Sequence, residues 1–154
     1  MTLDYVRDRL VQAGWRDVRP GLHMEVAFDL VGRRRFTLTK WSALVKALPV
    51  LDQATAAQWA AHFERISAQS KSWLWGQCFI MCLIADEVSP EVAAEPGPDS
   101  FGLFGLIRLK GGGGNALVAD RRSKQVYGRV PALPYDVHRF SKSLMEILQG
   151  AVQL

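Results

Sequence analysis

Few residues of this chain have the type and spacing that chemistry requires. Its three histidines, His23, His62 and His138, fall in three separate segments. None has the i, i+4 partner that a zinc-binding helix uses, and His23-x-Glu25 is a two-residue coincidence. Tyr135-Asp136-x-His138 is richer, because an acid at a helix start can orient a histidine for proton transfer. Helix capping accounts for Asp136 without any chemistry, so an enzyme with a site near the 136–138 helix start stands only as an alternative. The sequence singles out no catalytic residue, no metal ligand and no cofactor site.

The other reactive groups fare no better. Cys78 and Cys82 are the only cysteines. On a strand, residues four apart share a face with Cα atoms roughly 13 Å apart. A disulfide tolerates about 7 Å, so these two read as small buried apolar side chains. A metal-dependent nuclease of the Asp … Glu-x-Lys type needs an acid on one strand and Glu/Asp-x-Lys on the next; neither tripeptide occurs in any predicted strand. There is no Gly-x-Ser-x-Gly nucleophile elbow. Gly111 to Gly114 invites a phosphate-loop reading, but Asn115-Ala116-Leu117 opens a strand where a phosphate loop opens a helix. A flexible turn is the simpler account.

Charge is more informative. The formal net charge is +4, but Asp86 to Asp99 holds five acids and no base, which leaves 19 bases against 10 acids elsewhere. The bases bunch at Arg33, Arg34, Arg35 and at Arg121, Arg122, Lys124, with Arg108 and Lys110 between. Those first six are the candidate polyanion contacts. With Trp41, Trp73, Trp75 and Tyr127 as stacking faces, they make nucleic-acid binding through basic hairpin tips one reading. Basic turns also keep sheet edges soluble, and no zinc spacing, helix-turn-helix or aromatic RNA-binding motif sharpens it.

These residues need elements to hold them. A chain of 154 residues, 49% apolar and 22% charged, suits one globular domain. No window approaches the ~18 apolar residues of a membrane span, and the N-terminus lacks a signal-peptide core, so a soluble, cytoplasmic protein is expected. Leu3, Val6 and Leu10 space out a first helix, stopped at Gly14. Met24, Val26, Phe28 and Leu30 alternate as a strand. With Val31-Gly32-Arg33 as a three-residue loop, Phe28 faces Phe36 and Val26 faces Leu38, which puts the arginines at a hairpin tip. Ser42 to Leu48 reads as a short helix ended by Pro49. Gln53 to Gln69 reads as a longer one, capped by Asp52 and burying Trp59, Phe63 and Ile66.

Trp73 to Ala85 and Phe101 to Leu109 read as adjacent central strands, the first with Cys78, Ile80, Cys82, Ile84 on one face and Phe79, Met81, Leu83 on the other. The acidic, Pro-bearing stretch at about 86–100 between them reads as a mobile loop. Ala116 to Asp120 and Gln125 to Val130 form a hairpin, and a last helix from Asp136 buries Val137, Phe140, Leu144, Ile147 and Leu148. The expectation is a single α+β domain over residues 1–154: a largely antiparallel sheet of 5–6 strands, an N-terminal helix, a central helix pair and a C-terminal helix. If the helices pack mainly on one side, the other face needs a protein partner or a homodimer mate. The leading functional reading is therefore a small non-enzymatic protein-binding or adaptor protein, chaperone- or immunity-like, acting as a homo-oligomer or in a complex. Its order of elements is loosely similar to secretion-chaperone folds, as architecture alone.

Overall fold

The computed structural model describes residues 2–69, 76–93, 113–132 and 135–154. Its elements in order are α1 (Thr2–Gln12), β1 (Arg16–His23), β2 (Val26–Phe36), β3 (Thr39–Leu51), α2 (Gln53–Gln69), β4 (Gln77–Val88), α3 (Pro90–Ala93), β5 (Gly113–Asp120), β6 (Gln125–Gly128) and α4 (Tyr135–Ala151). The six strands form one open sheet in sequence order. It is mostly antiparallel, with β3–β4 and β4–β5 parallel in the middle. The fold is α+β.

Alternation along β4 works as the sequence predicts. Ile80, Cys82 and Ile84 pack with Trp41, Ala43, Val45 and Leu117 beneath α1 and α4, through Val6, Leu10, Val137, Phe140 and Leu144. Phe79, Met81 and Leu83 pack with Leu44, Ala116 and Val118 beneath α2, through Trp59, Phe63 and Ile66. Helices of this chain therefore cover both faces of the central strands. The bare face that would call for a mate is not found among the described residues.

Three local expectations give way. Ser42 to Leu48 is strand, inside β3, so of the expected central helix pair only α2 stands; the four-residue α3 lies after β4, in the stretch expected to be a loop. A short apolar run does not distinguish the two periods, and pairing with β2 on one edge and β4 on the other decides it. The predicted loop at 31–33 is continuous β2; the chain turns at Thr37–Leu38, with Phe36 opposite Thr39 and Arg35 opposite Lys40. Thr37 takes a positive φ of 54° there, a position that usually calls for glycine, Asn or Asp. The neighbours of β4 are β3 and β5. The segment 101–109 lies outside the described residues, as do 94–100 of the acidic stretch, whose Asp86 and Glu87 belong to β4.

Two bulges shape the β1–β2 edge. Pairing runs Arg16↔Arg33, Arg19↔Val31 and Gly21↔Phe28, so β1 carries one extra residue between 16 and 19 and β2 one between 28 and 31. Asp17, at φ 52°, marks the first. At the second, Asp29 Oδ2 accepts a hydrogen bond from Ala47 N–H at 2.7 Å, just beyond the last Leu30↔Val45 ladder pair. Val26 and Phe28 thus face α2, Leu30 turns to the α1/α4 side, and Val31 faces α2 again.

Candidate anion-binding cleft

The second bulge sets how the three consecutive arginines of β2 are used. Arg34 shares the face of Leu30, on the α1/α4 side. Its Nη1 donates to the Ala13 carbonyl just past α1, and its guanidinium lies 4.6 Å from the Phe140 ring centroid. Burial, with Arg139 nearby, lowers its pKa from the ordinary arginine value. This arginine ties α1, β2 and α4 together.

Arg33 and Arg35 take the other face. In the ladder Arg33 stands between Arg16 of β1 and Ser42 of β3, and Arg35 stands opposite Lys40. Four cations therefore make two directly opposed like-charge pairs, an arrangement that destabilises a sheet. None of the four makes an ion pair with a described residue. Elsewhere cations do find acids: Arg7 meets Asp4, Lys46 meets Asp29, Arg121 meets Asp86 and Arg122 meets Glu87. Together with Gly14, Asp17, Arg34, Trp41 and Ser42, the four cations line a cleft of about 580 Å³. That volume lies in the roughly 300–1,000 Å³ range of small-molecule sites. His23 is half-buried near it; burial, then the charge of Arg33, lowers its pKa and favours the neutral ring.

The second basic cluster is elsewhere. Asp120 pairs with Ala85 at the far end of the parallel strands, whereas Lys40 pairs with Gln77 at their start. Eight residues of β3 separate these levels, about 26 Å at ~3.3 Å per residue. Asp120 holds the β5–β6 turn by accepting from Arg122 N–H at 3.0 Å and Ser123 Oγ–H at 2.8 Å. Arg121 reaches Asp86 at 2.7 Å, and Arg122 is neutralised by Glu87. Lys124 occupies the turn with φ 60°. The six arginines and lysines singled out by the sequence thus divide into one structural cation that also borders the cleft, two further cleft cations and a turn that is largely paired.

Neither described candidate for a stacking face, Trp41 or Tyr127, is freely exposed. Trp41 is 2% exposed and Tyr127 is half-buried, while Trp73 and Trp75 lie outside the described residues. Trp41 Nε1 donates to Asp136 Oδ2 at 3.1 Å, and His138 Nδ1 lies 3.0 Å from the Pro131 carbonyl. A carbonyl only accepts, so that ring nitrogen carries the hydrogen. Asp136 and His138 have separate partners, and neither lines the cleft. Asp29 and Lys46 do meet, Nζ to Oδ2 at 3.8 Å, on neighbouring strands. The second acid of an Asp … Glu-x-Lys site would stand two residues before the lysine, where buried Leu44 packs toward α2. Among the described residues no three His, Cys, Asp or Glu side chains gather to hold a metal. Burial pushes the Cys82 thiol up to about 12.

Sequence reasoning missed Arg16, Lys40 and Ser42. The signal was available in Arg35-Phe36-Thr37-Leu38-Thr39-Lys40, whose ends meet once the turn is placed at 37–38. The fold and the site together define an α+β domain with an Arg-lined cleft at one end of an open sheet. No family model matches the chain, and no curated protein and no solved structure is similar to it.

Proposed function

We propose that this protein is a non-enzymatic binding module, adaptor-like, that holds an anionic partner in the cleft between β1, β2 and the start of β3. The observation that carries the reading is the set of four cations, Arg16, Arg33, Arg35 and Lys40, brought to one face with no ion pair to any of them among the described residues. Guanidinium groups suit carboxylate and phosphate equally, through two parallel N–H···O bonds. The burial of Trp41 and the 26 Å gap to the second, paired basic cluster weigh against a nucleic acid tracked along the surface.

Chromatography on phosphocellulose with a salt gradient tests this. Arg33→Ala/Arg35→Ala and Arg121→Ala/Arg122→Ala each remove two charges from the chain. The cleft variant should elute at clearly lower salt than the turn variant. Equal elution of the two would sink the reading, because net charge alone would then explain retention.

A further inference from the structure

The density of charge in the cleft narrows the kind of anion. Resting on the anionic-partner reading above, we infer that the cleft is a site for a compact polyphosphate, whose adjacent phosphate groups seat between the Arg16–Arg33 and Lys40–Arg35 pairs. Arg33 and Arg35 are two residues apart on β2, about 7 Å, and neighbouring strands lie about 4.8 Å apart. The four cations therefore project from a patch roughly 7 Å by 10 Å across three strands. An acidic peptide laid extended over it presents side chains on one face only every ~7 Å, one charge each, so about two charges fall within the patch. A polynucleotide strand advances ~3.4 Å per charge and then continues past the cleft, and the second basic turn, at 121–124, already has Arg121 and Arg122 paired with acids. A phosphate monoester alone carries close to two charges at neutral pH, and linked phosphates gather several within one patch.

Two further features fit. The like-charge pairs leave the free protein with a repulsion that this ligand removes, so binding and stabilisation go together. Ser42, in line with Arg33 and Arg16, adds a hydroxyl donor on the same face. The nearest exposed polar wall carries one acid, Asp17, which leaves the cleft strongly positive.

Isothermal titration at low salt with inorganic tripolyphosphate, a hexaglutamate peptide and a thymidine oligonucleotide separates the cases. Tripolyphosphate should bind to the intact protein and raise its melting temperature. Arg33→Ala and Arg35→Ala should each weaken it about tenfold or more while remaining folded, since each relieves a repulsion. Arg33→Lys, which keeps the charge and loses the fork, should fall between. Arg121→Ala should leave binding unchanged. If hexaglutamate binds and tripolyphosphate does not, the polyphosphate assignment falls while the anionic cleft stands. Oligonucleotide binding that tightens with length and exceeds tripolyphosphate has the same consequence. If none of the three binds, or if the Arg33 and Arg35 variants bind tripolyphosphate as the wild type does, both readings fall.

Discussion

Arg33, Arg34 and Arg35 are chemically identical, and the fold gives them different work. Arg34 caps the Ala13 carbonyl and lies on Phe140, whereas Arg33 lines a cleft beside Arg16 and makes no ion pair among the described residues. Truncation to Met should therefore split the neighbours. Arg34→Met is expected to cost about 1–3 kcal/mol, because it removes a charged donor from a carbonyl at the end of α1. Arg33→Met should be neutral or slightly stabilising in urea denaturation without ligand. Equal losses for the two would contradict the assignment of faces. The basic run itself was plain in the sequence, but its division was not. That division depends on a bulge whose only mark in the sequence is Asp29, an acid among apolar neighbours that reads as an ordinary outward-facing residue.

Elements held together by local signals were legible; those settled by distant pairing were not. Asp52 before α2 is an example of the first kind. Its carboxylate accepts from Thr55 N–H at 2.8 Å, and the backbone and side-chain hydrogen bonds of Thr55 lower its pKa. A depressed folded pKa gives stability that is present above the ordinary carboxylate value and lost as pH falls through the folded one. Asp52→Ala should therefore melt below the wild type at neutral pH, with the gap closing in acid, as paired thermal melts at pH 7 and about pH 3 would register. α1, α4 and the β5–β6 hairpin were readable on similar grounds: an apolar stripe, a stop at Gly14, an alternating run on each side of a polar turn. β3 shows the opposite case, since Ser42 to Leu48 satisfies helical spacing and becomes strand because β2 and β4 flank it. β1 carried no apolar alternation at all, with most of its residues exposed and Pro20 and Gly21 in its second half.

At the scale of the whole molecule, coverage replaces the question of a mate. Among the described residues the large exposed apolar side chains, Val11, Leu22, Leu38, Val50, Tyr135 and Leu154, are scattered over different elements. The β1 edge is blunted by Pro20, Arg16, Arg19 and the bulge at Asp17, and β6 offers only four residues. These features predict a monomer of 17.2 kDa by light scattering in the absence of a ligand. A stable dimer at micromolar concentration would contradict that expectation. What the sequence supplied at this scale was the demand that both faces of β4 be covered; α2, just before β4, covers one of them, but the cover of the other was hidden, because it comes from α1, more than 60 residues away, and α4, about 50 residues away.

The extra residue in β2 between Phe28 and Val31 has an implication for length variation. In an unbulged strand Phe28 and Leu30 would share a face; the extra residue is what sends Leu30, and Arg34 after it, to the α1/α4 side. Removing Asp29 would leave Phe28 and Leu30 as direct neighbours on opposite faces, as they already are, and the three arginines would keep their places. A residue added between Val31 and Arg33 with Leu30 anchored would do the reverse, turning Arg34 to the α2 side and Arg33 and Arg35 to the side of Phe140. The strand can thus lose a residue at its bulge without altering the division of its arginines, and cannot gain one just beyond it without exchanging them.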